Sequence, residues 1–318
     1  MEVDAILPEA IKTVDKFYKK NPNGIVIIRG ATATGKSRLS VLLAEHFPVE
    51  IISADSRQIF REMDIGTDKV SKEIRDRIPH HQIDIVNPDE SYTAGQWKEA
   101  VQKQILDIQS RGKLPIIVGG TGLYIDTLYK NFSMPESAPN REIRDKLEAE
   151  EKAEPGILWK KLNTIDPEEA AKHHPNSVRY IIRALEIFET TGKTKTEWFF
   201  QKDVEQPILL MGLRREKEET NRRINARIKT MFTSGLLEEI QGLLDKGYKP
   251  ELQSMQGIGY KEIIGYLKGE YDQEKSEELL KRNTHHLAKK QRTRFRRYIA
   301  EGKAAPKKNV EYVMYYLD

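Results

Sequence analysis

Residues Gly24 to Ala44 have the sequence GIVIIRGATATGKSRLSVLLA, and this stretch predicts how the chain folds. Its first part, GIVIIRG, is a short run rich in β-branched residues and bounded by glycines, which is typical of a buried strand. From about Lys36 to His46 the pattern becomes that of a helix. A buried strand joined to a helix by a glycine-containing loop is the building unit of a parallel α/β sheet.

The rest of the chain repeats this alternation of strands and helices. A helix is predicted at TAGQWKEAVQKQILDIQSRG, with Thr93 as its N-cap and Gly112 just past its end. Further strands are predicted at VEIISADS (49–56), HHQIDIV (80–86), KLPIIVGGTG (113–122) and PILLMGL (207–213). We therefore predict an α/β fold in which a parallel sheet is flanked by helices.

The domain organisation follows from where the alternation is interrupted. A long, mostly helical interval separates the last two predicted strands, and we interpret residues 131–206 as a helical insertion domain. Residues 24–130 and 207–318 then form the core, whose region after Leu213 is predicted to be helical. We interpret residues 1–23 as an N-terminal extension. Their pattern predicts an amphipathic helix with Ile11, Val14 and Tyr18 on one face.

Composition limits the class of protein. Of the 318 residues, 32% are charged and 38% hydrophobic, which is typical of a soluble globular chain. The absence of cysteine excludes a disulfide framework and thiolate metal sites. No apolar run approaches the roughly 18 residues that a membrane span requires, and the N-terminus lacks the apolar region of a signal peptide. We expect a cytoplasmic protein that does not contact membranes.

The charge is concentrated near the C-terminus. Residues 281–308 contain eleven Lys or Arg and a single acid, Glu301, so this segment carries +10 within a chain of net charge +4. Such a block is typical either of a solvated helix face or of nucleic-acid contact. Because Phe295 and Tyr298 are interleaved with the charges and the remaining chain is acidic, we favour nucleic-acid contact.

The segment GATATGKS matches the phosphate-loop pattern G-x-x-x-x-G-K-[S/T], in the required position between a strand and a helix. Glycines let successive N–H groups point at a phosphate, and the helix N-terminus adds partial positive charge. Lys36 would reach phosphate oxygens, and the Ser37 hydroxyl would bind Mg²⁺. No group in this loop recognises a base or a sugar. The loop sequence is therefore compatible with ATP and with any other diphosphate ester. The loop residues are Gly30, Ala31, Thr32, Ala33, Thr34, Gly35, Lys36 and Ser37.

Polar residues follow two other predicted strands. Asp55 lies at the carboxyl end of the second strand, where open α/β sheets bind ligands. Its carboxylate could take a proton from an acceptor, or it could simply cap the next segment. Thr121 lies in GGTG (119–122), which is either a tight turn or a second edge of the same site.

Together, these segments resemble the tRNA dimethylallyltransferases, also called tRNA isopentenyltransferases. The resemblance extends from about Gly24 to Arg297. It rests on motifs that occur in order: GATATGKS, ADSRQIFREMDIGTDK, PHHQIDI, SYTAGQW, GGTGLY, HHPNSVRYIIRALE, RRINARI, QGIGYKE and HLAKKQRTRFRR. It implies transfer of a dimethylallyl group, with Mg²⁺, from dimethylallyl diphosphate to N6 of the adenosine just 3′ of the tRNA anticodon. The phosphate loop would then bind the diphosphate of the prenyl donor.

The resemblance also implies catalytic roles for individual residues. Asp55 matches the family's general base, which the weakly nucleophilic N6 amine needs. Thr121 matches a threonine near the reacting groups, and Arg227 an arginine that contacts the diphosphate. Arg223 lies four residues before Arg227 on one helix face, and we include it among the diphosphate-binding residues. Without the resemblance, this pair would be interpreted as a solvated surface.

A base-modifying enzyme must take its target base out of the anticodon loop, so the resemblance implies RNA contacts across the chain. Tyr180 and Arg294 stand where the family carries other residues, which bears on the details of those contacts. The tRNA-binding residues implied are Asp55, Ser56, Arg57, Gln58, Thr121, Arg144, Arg179, Arg183, Gln256, Gly257, Ile258, Gly259, Tyr260, Lys261, Lys289, Lys290, Gln291, Arg292, Arg294 and Arg296. The site needs no second chain, so we expect a monomer.

Two other functions remain open from the sequence. A prenyltransferase acting on free AMP, ADP or ATP would have little need of the insertion and the basic tail. A P-loop kinase or a non-catalytic RNA-binding protein would bind ATP better than a prenyl diphosphate, or would have lost Asp55 or Lys36. The adjacent His80 and His81 could suggest a metal pair, but neighbouring side chains on a strand point to opposite faces. We interpret them as structural or as residues at the RNA edge.

Overall fold

The computed structural model describes residues 2–131, 133–134, 140–199, 203–304 and 307–317. Within these residues the strands are β1 (Ile25–Gly30), β2 (Val49–Ser53), β3 (His80–His81), β4 (Leu114–Gly119), β5 (Ile208–Arg215) and β6 (Val310–Leu317). They form one sheet in the order β3-β2-β4-β1-β5-β6, with every pair parallel. The predicted parallel sheet is confirmed.

The helices cover most of the remaining described residues. The predicted N-cap is confirmed, because the Thr93 hydroxyl accepts a hydrogen bond of 3.2 Å from the Gln96 N–H. The helices are α1 (Val3–Lys20), α2 (Lys36–Leu43), α3 (Lys72–Arg77), α4 (Ala94–Ser110), α5 (Gly122–Tyr129), α6 (Arg141–Ala153), α7 (Ile157–Ile165), α8 (Pro167–Ala170), α9 (Val178–Thr191), α10 (Lys195–Trp198), α11 (Lys217–Thr233), α12 (Leu236–Asp245), α13 (Tyr260–Leu267) and α14 (Gln273–Ala304). None of these described helices combines the length and apolarity needed to cross a membrane.

Two strands differ from the sequence prediction. The region after Leu213 was expected to be helical, yet β6 pairs with β5 from Ile208–Val310 to Arg215–Leu317. Its sequence VEYVMYYL is rich in β-branched and aromatic residues, which favour strands. Conversely, β3 is limited to two residues, because after His81 the chain continues through Gln82 at φ 61° and Asp84 at φ 55°.

The chain divides into two compact units. One comprises Met1–Tyr92, Trp97–Tyr129 and Val204–Asp318 and contains the sheet, and the other comprises Thr93–Gln96 and Lys130–Asp203. The second unit includes helices α6 to α10, with a core around Leu147, Leu158 and Leu185.

Helix α1 belongs to the core of the sheet-containing unit. Its buried face carries Val3, Ile6, Ala10, Val14 and Phe17, which pack with apolar residues of α2 and of the central strands. Val14 lies where the sequence predicted it, whereas Ile11 and Tyr18 lie at the margin and are only partly buried. The N-terminal extension is therefore an integral layer of this unit.

Candidate active site

The phosphate-loop sequence forms the connection between β1 and α2. Gly35 has φ +94°, a conformation that L-residues other than glycine rarely adopt, and a Cβ there would overlap the Val3 side chain. The Lys36 ammonium donates a hydrogen bond of 2.7 Å to the Ala31 carbonyl, and the Thr34 hydroxyl donates to the same oxygen at 2.9 Å. Lys36 thus folds back over the loop, where a phosphate would meet it.

Three charged groups act on the Lys36 ammonium. The pKa of Lys36 is lowered to about 8, chiefly by burial; Asp55 and Asp68 oppose the shift, and Arg227 adds to it. This coupling places the predicted base, Asp55, and the predicted diphosphate ligand, Arg227, around one lysine. An anionic ligand at this point would stabilise the charged form of Lys36.

Arg227 contacts the loop directly. Its Nη2 donates to the Thr32 hydroxyl at 2.8 Å, and its Nη1 pairs with Asp68 at 2.7 Å. Its Nε is buried and has no hydrogen-bond partner among the described residues. Arg223, one turn earlier on α11, is instead engaged by two carboxylates, since it pairs with Glu219 at 2.7 Å and with Glu2. The two arginines of the predicted pair therefore have different surroundings.

The ends of β2 and β4 meet beside the loop. The Thr121 N–H donates to the Ala54 carbonyl at 3.1 Å. A Cβ at Gly119 would overlap the Ala54 backbone, so the contact requires glycine there. The Asp55 Oδ1 accepts a hydrogen bond of 2.9 Å from the Arg57 N–H, which is the capping geometry. Asp55 Oδ2 has no hydrogen-bond partner among the described side chains and backbone groups, so one oxygen caps and the other is available to a substrate.

Gln291 connects this edge to α14. Its Oε1 accepts a hydrogen bond of 2.8 Å from the Thr32 N–H, and its Nε2 donates to the Gly120 carbonyl at 3.1 Å. The sequence analysis assigned Gln291 to RNA. In the structure its side chain joins the phosphate loop to the GGTG turn.

The other DSRQ residues shape the segment around Asp55. Gln58 Oε1 accepts from the Ser53 hydroxyl at 2.9 Å, and Gln58 Nε2 donates to the Thr67 and Asp68 carbonyls. Arg57 Nη1 donates to the Gln253 carbonyl at 2.7 Å, close to Gly257 of the QGIGYK segment. Two segments to which the sequence analysis assigned tRNA contacts are thus adjacent.

Within QGIGYK, the Tyr260 ring is 1% exposed and its hydroxyl donates to Glu239 at 2.6 Å. That ring is a core element and does not present a surface to RNA in this structure. The Gly259 N–H donates to the Glu262 carboxylate at 2.8 Å, and Gln256 donates to the Pro250 carbonyl. Lys261 is exposed enough to meet a ligand, and Ile258 is partly buried.

In the second unit, two of the three predicted RNA-binding arginines have a buried partner. Arg144 forms a two-point ion pair with Glu186, with both distances at 2.9 Å, and Arg183 joins it at 2.7 Å. Burial acts to raise the pKa of Glu186, but these arginines hold it below its usual value. Arg179 is exposed and forms no ion pair within the described residues. Tyr180 is also exposed and stacks on His173, with ring centroids 5.2 Å apart.

The basic residues of α14 separate by helix face. Arg294 pairs with the buried Asp126, which also accepts a hydrogen bond from Tyr298. Lys289, Arg292 and Arg296 line a cavity beside the phosphate loop. Lys290 is exposed. The basic segment is therefore not one uniform face.

His81 and His80 have local partners. His81 Nε2 lies 2.7 Å from the buried Glu50 carboxylate, which Arg111 and Lys113 also contact. Arg111, Lys113 and His81 hold the pKa of Glu50 far below its usual value, despite burial. His80 Nδ1 lies 2.7 Å from the Ile78 carbonyl. These contacts favour the structural interpretation of the histidine pair.

Sequence reasoning did not identify three residues near the loop as site residues. Asp68 lies within the quoted motif ADSRQIFREMDIGTDK, whose acidic residues were a usable signal. Glu2, which pairs with Arg223, and Arg29, which lines the cavity, had no such signal, because their neighbours are distant in sequence.

The fold and this edge define a class, namely α/β proteins with a parallel sheet that carry a phosphate-loop sequence between the first strand and its helix. The model of the IPP transferase family matches residues 58–298, and the chain belongs to this family.

Relatives and solved structures agree with this assignment. The chain is 45% identical to the tRNA dimethylallyltransferase of Pelotomaculum thermopropionicum, over 88% of this chain and 89% of that protein. It is 46% identical to the tRNA dimethylallyltransferase of Thermotoga neapolitana, over 86% of this chain and 90% of that protein. The chain also matches the crystal structure of the tRNA isopentenylpyrophosphate transferase of Bacillus halodurans, with a TM-score of 0.65 and 38% identity. The match covers 93% of this chain and 91% of that chain. It matches the structure of a eukaryotic dimethylallyltransferase acting on tRNA with a TM-score of 0.73 and 30% identity. This match covers 91% of this chain and 73% of that chain.

Proposed function

We propose that this protein transfers a dimethylallyl group from dimethylallyl diphosphate to N6 of the adenosine that follows the anticodon in tRNA, releasing diphosphate. The family and the names of the relatives support tRNA prenylation. The single observation that carries the proposal is that Arg227 donates to the Thr32 hydroxyl of the phosphate loop at 2.8 Å, at the sheet edge where Thr121 holds the turn that carries Asp55. A carboxylate base and the cations for a diphosphate are thereby parts of one site.

In the proposed reaction, N6 attacks the allylic carbon of the donor, and the bond from this carbon to the diphosphate oxygen breaks. The lone pair of N6 is delocalised into the adenine ring, so removal of its proton as the new bond forms assists the attack. Asp55 Oδ2 is the oxygen available for this proton, since Oδ1 caps the Arg57 N–H. Thr121 holds the turn that carries Asp55, through its hydrogen bond with the Ser56 N–H.

The leaving diphosphate gains negative charge as the bond breaks, and fixed positive groups stabilise it there. Lys36, the loop N–H groups and Arg227 would serve this role, and the start of α2 would add its partial positive charge, as the contact between Arg227 and the loop supports. The Thr32 N–H is engaged by Gln291, so the diphosphate would bind to other loop N–H groups or displace that side chain.

Mg²⁺ fits the residues present. No group of three His, Cys, Asp or Glu side chains among the described residues is placed to hold a metal, so a bound ion would take most of its ligands from diphosphate and water. The Ser37 hydroxyl, exposed at the first turn of α2, is the protein ligand that the loop offers. When bound, the ion would neutralise charge on the diphosphate.

The RNA would contact both units. We assign its backbone to exposed cations without an ion-pair partner among the described residues, of which Arg179 and Lys290 are examples. Such contacts supply affinity that depends on salt and carry little sequence information.

The test is transfer of radiolabelled dimethylallyl diphosphate, with Mg²⁺, to unmodified tRNA whose anticodon loop carries adenosines, with AMP and ATP as parallel acceptors. We expect label on tRNA, and a loss of about 100- to 10,000-fold in kcat in Asp55→Asn, as general bases contribute. Asp15→Asn is the matched control, because Asp15 is a partly exposed carboxylate on α1 that pairs with Lys19. Label on AMP or ATP instead of tRNA would reassign the protein to free-nucleotide prenylation.

A further inference from the structure

A second cationic cavity adjoins the phosphate loop. It has a volume of about 420 Å³ and lies among the end of β1, the end of β5 and helix α14. Loop residues Gly30, Ala31 and Thr34 form part of its wall, whereas Asp55 and Thr121 do not. Its charged lining is seven cations, Arg29, Arg214, Arg215, Lys217, Lys289, Arg292 and Arg296, and one carboxylate, Glu216.

Arg29 is the innermost of these cations. It is 1% exposed, and no carboxylate within the described residues pairs with it. Its Nη1 donates to the Phe295 carbonyl at 3.2 Å and its Nη2 to the Tyr312 hydroxyl at 3.4 Å, while its buried Nε has no partner. The guanidinium lies 4.7 Å from the centroid of the Tyr298 ring. Aromatic rings offset part of the cost of burying a charge, but they do not neutralise it.

The cations that α14 contributes form no ion pair within the described residues, whereas Lys217 pairs with Glu218 at 3.7 Å and Arg215 lies 3.9 Å from Glu219. Arg292 has a buried Nη1 without a hydrogen-bond partner, and burial together with the nearby Arg296 lowers its pKa. Arg296 and Lys289 are exposed and form no ion pair within the part of the chain that the structure describes. Like charges around one cavity repel each other, which destabilises the unliganded protein. An anion bound between them would replace this repulsion by attraction.

We propose that this cavity is a second diphosphate site, which receives the diphosphate released from the phosphate loop. The identity of its source rests on the proposed function. Gly30, Ala31 and Thr34 belong to the phosphate loop and also line the cavity, so the two proposed sites are adjacent. A phosphate within an RNA chain is a poorer occupant, since a cavity of about 420 Å³ between the ends of β1 and β5 and helix α14 has little room for the attached nucleotides. The exposed Lys289 and Arg296 would contact the anion directly, and the buried Arg29 and Arg215 would act on it through their charge.

Binding stoichiometry tests the proposal without any transfer reaction. We expect calorimetric titration of the full chain with inorganic diphosphate to give two sites. Arg292→Gln combined with Arg296→Gln should weaken one site at least 10-fold, while Lys36→Met removes the other. The matched control, Arg282→Gln with Arg297→Gln, changes two cations of α14 that do not line the cavity and should retain both sites. Circular dichroism and melting curves establish that each variant is folded.

Several outcomes would overturn the proposal. One is a single site in the unaltered protein that Lys36→Met abolishes, and another is two sites that Arg292→Gln with Arg296→Gln leaves intact. Tighter binding of ADP than of inorganic diphosphate at the site sensitive to Arg292 would identify a nucleotide as the occupant. Loss of binding to a tRNA stem-loop, with both diphosphate sites intact, would assign these arginines to RNA. A failure of prenyl transfer with two diphosphate sites present would refute the proposed function alone.

Discussion

The Thr121 hydroxyl accepts a hydrogen bond of 3.0 Å from the backbone N–H of Ser56. This bond joins the ends of β4 and β2 and holds the turn on which the Asp55 carboxylate is carried. The contact is between residues 65 apart in the chain, so it exists only once the sheet has formed.

Removing the Thr121 hydroxyl should misplace Asp55. We expect Thr121→Ala to lower kcat by about 10- to 100-fold, because a displacement of about 1 Å near the chemistry costs on the order of 100-fold. Thr121→Ser keeps the acceptor and should retain most of the activity. Steady-state kinetics with tRNA and the prenyl donor measure both. Equal losses in the two variants would show that the Thr121 methyl group, rather than its hydroxyl, supports the site.

Diphosphate affinity should depend on pH through Lys36. Burial lowers the pKa of Lys36 to about 8 in the unliganded fold, so this residue loses its charge as the pH rises through 8. Anion binding restores the charge and takes up a proton, and affinity should therefore fall as the pH rises above 8. Calorimetry in buffers of different ionisation enthalpy measures the proton uptake. The same titrations with Lys36→Met measure the pH dependence that comes from diphosphate itself. If the diphosphate affinity of this variant depended on pH in the same way as that of the unaltered protein, the prediction would be wrong.

The same pKa shift affects stability in the opposite direction. The ordinary pKa of a lysine is 10.5, so between about 8 and 10.5 the unfolded chain binds a proton at Lys36 that the folded chain does not. The contribution of Lys36 to the free energy of unfolding therefore rises with pH across this window. Urea denaturation of the unliganded protein and of Lys36→Met, compared at pH 7.5 and pH 10, isolates the contribution of this residue. A difference between the two proteins that does not change with pH would count against the shift.

Arg227 should be irreplaceable by lysine. Its two terminal nitrogens contact the Thr32 hydroxyl and Asp68 at the same time, which a single ammonium does not reproduce. We expect Arg227→Lys to raise the KM for the prenyl donor by about 10-fold, the equivalent of one hydrogen bond to a charged group. Arg222→Lys is the control on the same helix, since Arg222 is exposed and pairs with Glu219. A donor KM that is unchanged in Arg227→Lys would remove this arginine from the diphosphate site.

The ion pair between Glu2 and Arg223 tests the predicted role of Arg223. If Arg223 contributes to diphosphate binding, Glu2→Gln should release it and lower the donor KM several-fold. Stability should change by less than about 1 kcal/mol, because the pair is largely exposed. Asp4→Asn is the control, since Asp4 pairs with Arg38. A donor KM that is equal in the two variants would leave Arg223 with a structural role.

Arg144 and Arg179 should separate stability from RNA affinity. Arg144→Ala breaks a two-point pair with the buried Glu186 and should lower the free energy of unfolding by about 1–3 kcal/mol, since Arg183 keeps part of the charge compensated. Arg179→Ala should leave stability unchanged, weaken tRNA binding and reduce the salt slope by roughly one. Urea denaturation and binding titrations at several salt concentrations measure the two effects. If Arg179→Ala changed stability but not affinity, the RNA assignment would fail.

The fold class and the phosphate loop were predictable from local patterns. Each strand, each helix and GATATGKS depend on residues close together in the chain, where side-chain spacing and glycine directly limit the backbone. The sixth strand was missed although its sequence VEYVMYYL favours a strand, and its place in the sheet beside β5 was decided by pairing between distant segments. At the site, the sequence pointed to Lys36, Asp55, Thr121 and Arg227, and their roles there remain proposals.

The sequence alone therefore specified the chemistry that the chain carries, and the packed fold specified which of those groups have partners. Gln291 lies 259 residues from Thr32 and still accepts a hydrogen bond from its N–H. Arg294 meets a buried carboxylate, whereas Arg292 and Arg296, on the same helix, border a cavity and form no ion pair within the described residues. A charge pattern shows neither outcome, because the electrostatic environment of a side chain depends on distant segments that only folding brings within a few ångströms of it.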